Sequence, residues 1–163
     1  MKTKKIAVMA LAIALAMILS FVESQIPALV AVPGVKIGFA NIAVVFVLYK
    51  LGWREAVLIS LIRVFLVSVL FGTAVSLFYS VAGAVLSLGG MLLLKRTRLF
   101  STVAVSVAGG VLHNIGQILM ACLLLETNVI IYYLPFLIVS GVAAGVAIGI
   151  VAAIMISRVK VEY

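Results

Sequence analysis

The chain has 163 residues, of which 67% are apolar and 10% charged, with a formal net charge of +8. Several stretches exceed the roughly 18 consecutive apolar residues that mark a membrane-spanning helix, leaving too little polar sequence to cover a soluble globule. The composition therefore excludes a water-soluble enzyme and predicts one integral membrane domain over residues 1–163; the lone cysteine, Cys122, excludes an intrachain disulfide.

The chain begins MKTKK and continues into an apolar run from Ile6 to Val22. That pattern resembles a signal peptide, but the run passes into FVESQIP without a small-x-small cleavage site and so reads as a first span, about residues 6–26. Pro27, Pro33 and Gly34 break the chain before a second, shorter segment at 37–50. KLGWRE leads into a third segment at 55–71, and FGT into a fourth at 75–94. KRTR precedes a fifth at 100–125; ETN then separates it from a sixth at 134–157, near whose start Pro135 removes an N–H that has no helical partner anyway. All six are predicted helices, because a helix satisfies its own backbone in lipid and these runs lack the alternation of barrel strands. The expected fold class is thus all-α, a polytopic bundle of six transmembrane helices.

Basic residues orient such a bundle. With the N-terminus inside, Lys2, Lys4, Lys5, Lys50, Arg54, Lys95, Arg96, Arg98, Arg158 and Lys160 all fall on the cytoplasmic side, leaving only Lys36 and Arg63 of the twelve elsewhere. An even number of spans returns the C-terminus to the same side, so both termini are expected to be cytoplasmic, in a bacterial cell membrane. The positive charge follows topology and predicts no nucleic-acid partner.

Small residues recur at helical spacing. Ala10 and Ala14, with Ala12 and Ala16, line the first helix, and Gly141, Gly145 and Gly149 line the last. Such stripes let helix backbones approach closely, either within the chain or against a partner.

Polar side chains stand out against this background. Arg63 lies mid-way along the third helix, where a lone arginine costs about 2.5–3.5 kcal/mol on insertion scales, so it must face protein or water, as a salt bridge or a ligand contact. Lys36 and Asn41 lie at the outer mouth of the second helix, Lys36 as a snorkelling anchor or a ligand group, with Glu23 positioned to pair with it. His113 and Gln117 are four residues apart and share a helix face, with Asn114 alongside. Contact with a ligand, hydrogen bonding between helices and a proton relay are the roles open to this group. Tyr79, Tyr132 and Tyr133 are candidates for stacking on a ring or for interfacial anchoring. Glu23, Lys36, Asn41, Arg63, His113, Asn114 and Gln117 all map to the midplane or above it, which predicts a cavity open to the outside and closed below. A channel would carry polar groups through both halves.

Absences restrict the chemistry. There is no aspartate, and Glu23, Glu55, Glu126 and Glu162 lie on different loops and helix ends, so no acidic pair is available to hold a magnesium diphosphate. One histidine and one cysteine make a transition-metal cage improbable, and no G-x-x-x-x-G-K-[ST] loop exists for ATP. No catalytic residue, cofactor or metal is expected.

VPGVKIGFANI, LIRVFLVSVLFG, FYSVAGAVLS, GGVLHNIGQILMA and YYLPFLIVSGVAAGVAIG resemble the signatures of the Gx transporter family, also filed as heptaprenyl diphosphate synthase component I. The resemblance runs over nearly the whole chain, and HNIGQ and GVKIGFAN are its most specific parts. That family is similar to the S-components of energy-coupling factor transporters, which are six-helix proteins that capture vitamins. The resemblance implies a transmembrane coupling subunit and two cytoplasmic ATPases as partners. It implies docking through an Ala-x-x-x-Ala motif matched by Ala10 and Ala14, with Ala12 and Ala16 a second register, and a loop at Ser24–Lys36 that helps to cover the site. The expected function is capture of a small organic molecule (a vitamin, flavin or isoprenoid or quinone precursor) from outside by Glu23, Lys36, Asn41, Arg63, Tyr79, His113, Asn114, Gln117 and Tyr133. The alternative is a non-catalytic membrane accessory subunit of a prenyl diphosphate synthase or a membrane redox system.

Overall fold

The structure is a computed structural model, and it describes residues 2–25 and 38–159, without the side chain of Lys2. Those residues form six α-helices: α1 (Lys2–Gln25), α2 (Asn41–Lys50), α3 (Trp53–Phe71), α4 (Ala74–Thr97), α5 (Thr102–Leu125) and α6 (Leu134–Arg158), with a 3-10 turn at Val129–Tyr133 ahead of α6. The helix ends fall near the expected breaks, except that α1 starts earlier, at Lys2, α2 starts later, at Asn41, and α4 runs on through most of KRTR to Thr97; local chemistry fixes several of them. Thr73 and Ser76 close a reciprocal capping box at the start of α4, with Ser76 N–H donating to Thr73 Oγ1 at 3.2 Å and Thr73 N–H to Ser76 Oγ at 2.9 Å. Ser101 Oγ caps α5 by accepting from Ala104 N–H at 3.2 Å. Between α2 and α3 the chain reverses through Gly52 at φ +133°, a conformation that a side chain would strain.

Four stretches are long and apolar enough to cross a membrane: Thr3–Gln25, Ala74–Thr97, Thr102–Leu125 and Val129–Arg158. The outer surface of the bundle is apolar, as Leu11, Phe65, Val85, Leu123, Val139 and Ile154 illustrate, so the protein is a helical membrane protein. Two of the six expected spans fall short of that standard for different reasons. The ten residues of α2 rise only about 15 Å against a hydrocarbon core of about 30 Å. α3 has the length, but carries Arg54, Glu55 and Arg63.

α2 is short because it is interior. It packs against α1, α3 and α6, and Ala43 through Leu48 are all buried, which makes it the centre of the larger apolar core. A helix that is apolar all round belongs in such a position. Its C-terminal carbonyls need a partner there, and Lys95 of α4 supplies one: its ammonium donates to the Leu48 carbonyl and lies 4.9 Å from the centre of the Tyr49 ring.

α4, α5 and α6 form the most intimate part of the bundle, and glycine is the reason. A Cβ at Gly116 would stand 2.7 Å from the Ala82 carbonyl, one at Gly110 2.6 Å from that of Gly141, and one at Gly145 2.5 Å from the Val107 Cα. The Gly141, Gly145 and Gly149 stripe therefore lies against α5, and internal packing accounts for it. On α1 the two alanine registers separate: Ala12 and Ala16 are buried in the core, whereas Ala10 and Ala14 lie on the exposed face.

Lys5 of α1 pairs with Glu55 at the start of α3, so these helices run parallel. Lys4, Lys5, Lys50, Arg54, Lys95, Arg96, Arg98 and Arg158 consequently gather at one end, here called the basic end. At the other end Phe21 and Phe71 meet with ring centres 5.5 Å apart.

Candidate functional site

In a bundle with an apolar exterior, a polar side chain gains most by turning inward toward another polar group. Four helices and one loop residue do this together, between the middle of the bundle and the end opposite the basic one. α1 contributes Ser20 and Glu23, three residues apart on one face; α3 contributes Arg63 with Val64 and Val67 below and beside it. Ser80 comes from α4, His113 and Gln117 from α5, and Gly38 from the chain entering α2. The cavity they enclose has a volume of about 30 Å³, room for two or so water-sized positions at about 10–15 Å³ each.

Glu23 is 7% exposed, Arg63 7%, His113 6% and Gln117 2%, so these groups are removed from water on nearly every side. The Glu23 carboxylate accepts the Gly38 N–H at 2.5 Å, which ties the last turn of α1 to the chain ahead of α2. Gly38 itself has φ +90°, a geometry that glycine supplies freely. Glu23 and Arg63 interact electrostatically, and the Arg63 charge in turn bears on His113. Arg63 Nε is buried with no hydrogen-bond partner among the described residues. The imidazole of His113 lies against the Gly83 backbone, so close that a Cβ there would stand 2.9 Å from Nδ1, and that nitrogen finds no hydrogen bond of ordinary geometry. Buried polar atoms left in this state are costly, and here both belong to side chains that line the cavity.

The structure brings four of the sequence candidates to one cavity: Glu23, Arg63, His113 and Gln117. Others go elsewhere. Asn114, one residue from His113 and so about 100° round the helix, donates from Nδ2 to the Leu137 carbonyl of α6 at 2.7 Å, a bond between helices. Asn41 is buried beside Gly38, its amide next to where a Gly38 Cβ would stand, without lining the cavity. Tyr79 belongs to a separate apolar cluster with Ile118, Ala121, Ile130 and Leu137. Tyr132 and Tyr133 are exposed at the end of the bundle. Lys36, like most of the Ser24–Lys36 loop, lies outside the described residues. Ser20 and Ser80 were not singled out by the sequence; Ser20 carried a signal in its three-residue spacing from Glu23, but serine is too common in apolar helices to announce itself.

Among the described residues no group of three or more His, Cys, Asp or Glu is placed to hold a metal ion. The site is a small pocket whose described lining includes one acidic, one basic and one imidazole side chain.

An all-helical membrane protein with a buried polar pocket in one half of its bundle defines the class. Within it, the chain belongs to the family described as heptaprenyl diphosphate synthase component I, which matches residues 12–155 and so includes every residue of the pocket. Comparison with curated proteins and with solved structures gives no match.

Proposed function

We propose that the protein is the substrate-capturing subunit of an ATP-driven importer, akin to the S-components of energy-coupling factor transporters, and that the pocket between α1, α3, α4 and α5 receives part of a small organic molecule arriving from outside. The observation that carries this reading is the convergence of Glu23, Arg63, His113 and Gln117 on one cavity in the half of the bundle remote from the basic end. If the basic end is cytoplasmic, the cavity belongs to the outer half, and a polar site in one half only suits capture better than conduction. Six membrane-embedded helices with both termini inside fit this reading, α2 being enclosed by its neighbours. A cavity of about 30 Å³ takes one polar head group and not a whole vitamin, so the rest of the ligand lies elsewhere. The exposed Ala10 and Ala14 of α1 would offer the coupling subunit a close backbone approach.

The test is native mass spectrometry of the purified protein for a co-purified small molecule, followed by binding to His113→Ala and Arg63→Lys variants. A retained molecule whose binding falls at least about tenfold in both variants, equivalent to about 1.4 kcal/mol, supports capture. Unchanged binding in both refutes it.

A second reading rests on the family description itself: a non-catalytic membrane subunit that holds a soluble prenyl diphosphate synthase component at the basic end. Arg96 and Arg98 are exposed there, whereas Lys95 is engaged in capping α2. Loss of partner association on changing Arg96 and Arg98, with tolerance of changes at His113 and Arg63, favours this second reading over the first.

A further inference from the structure

Among the described residues the charged groups at the cavity are one carboxylate and one guanidinium, Glu23 and Arg63. Both are more than nine-tenths buried and they act on one another electrostatically. Arg63 alone would make the pocket a trap for anions, because a buried positive charge favours whatever neutralises it. With Glu23 on the same cavity that neutralisation is already supplied within the chain. A ligand carboxylate or phosphate would lose its water, meet a guanidinium whose charge is already balanced, and face the Glu23 carboxylate across a space only a few atoms wide. A neutral head group meets no such opposition, and the side chains lining the pocket still offer it directional partners: the Arg63 guanidinium as donor, and the His113 imidazole as donor or acceptor according to its tautomer. The Glu23 carboxylate is also held in place by the Gly38 N–H at 2.5 Å, so it is not free to swing away.

We infer that Glu23 is the specificity-determining residue of the pocket: by balancing Arg63 it makes the site select an uncharged, hydrogen-bonding head group such as an amide, imide or carbonyl, and reject carboxylates and phosphates. This deepens the capture reading and rests on it. Glu23 acts on charge, not on shape, so its isosteric amide should invert the preference while the Gly38 bond, accepted by the remaining carbonyl oxygen, is kept.

Formamide and formate are nearly identical in shape, differ in charge and fit a cavity of this size. The experiment titrates each into the full-length protein in detergent micelles, following the Arg63 Nε–H resonance by nitrogen-15 NMR, with Arg63→Lys used to assign it. The wild-type resonance is expected to move with formamide and not with formate. In Glu23→Gln, formate should become the better ligand, the ratio of the two affinities changing by at least about tenfold. Equal or stronger binding of formate by the wild type, or an unchanged ratio in Glu23→Gln, overturns the selector role while leaving capture intact. No response to either molecule in either protein overturns the capture reading itself. A thermal unfolding curve for Glu23→Gln that matches the wild type ensures that a changed ratio reports charge and not a lost fold.

Discussion

The close contact of α5 and α6 allows a sharp test of the packing. Gly145→Ala places a methyl carbon 2.5 Å from the Val107 Cα and 3.1 Å from the Ser106 carbonyl oxygen, both rigid backbone. Ordinary contact lies near 3.5–4.0 Å between carbons, so the helices must part by about 1 Å or tilt. Gly89→Ala is the matched control: it lies on α4, and its Cβ would meet nothing within 4 Å. Both changes gain the same helix propensity, about 1 kcal/mol, and that gain cancels in their difference. What remains is the overpacking cost, about 1–3 kcal/mol, or a Tm difference of about 2–12 °C at about 2–4 °C per kcal/mol for a chain of this length. Cys122 is the one thiol and is half-buried on α5, so its reaction with a fluorogenic maleimide during a temperature ramp reports unfolding without an added label. Gly89→Ala should melt above the wild type, and Gly145→Ala should melt below Gly89→Ala by that margin. If the two variants melt together, α5 and α6 are not in backbone contact at Gly145 and the account of the glycine stripe is wrong.

Three further outcomes are expected. Asn114→Ala removes the 2.7 Å bond to the Leu137 carbonyl, which should cost about 0.6 kcal/mol and at most about 1.7 kcal/mol; the Cys122 melt should fall slightly, while the formamide titration stays unchanged because Asn114 faces α6. Glu55→Gln weakens its pair with Lys5, whose side chains are 16% and 39% exposed; an ion pair so close to solvent is worth less than about 1 kcal/mol, so the melting temperature should move only slightly, and the difference should shrink further in high salt. Ala14→Leu adds bulk to the exposed face of α1 and should leave the melt within about 0.5 kcal/mol of wild type; under the proposed import function it should also abolish co-purification with a coupling subunit, and retained association would remove the first helix from that proposed docking surface.

The helix boundaries were legible because the signals that end a membrane helix are charges and turn residues, and KLGWRE, FGT, KRTR and ETN are dense in both. The depth of α2 was not, since a short apolar run looks alike whether lipid or protein surrounds it. Arg63, His113, Gln117 and Glu23 could be read as one group because they share a level along parallel and antiparallel helices. Which of two adjacent residues faces the cavity could not. His113 and Asn114 differ by one step round α5, and only the neighbours decide that one meets α4 and the cavity while the other reaches α6. The tyrosines show the same limit: Tyr79 fills an apolar cluster and Tyr133 is exposed, and nothing in their spacing separates those fates from a binding role.

The enclosure of α2 also bears on how the protein is made. A helix of ten residues is too short to cross the bilayer alone, and one of the surfaces that encloses it belongs to α6, which the ribosome produces after the other five. Until α6 arrives, part of the central apolar helix has no protein cover, and the Leu48 carbonyl depends on Lys95 from α4. The core is therefore assembled around a post that cannot stand by itself, and it closes only late in synthesis. Nascent chains halted after α3 should remain open to protease and to insertion-factor crosslinking at α2, and protection should appear only once α6 has been released.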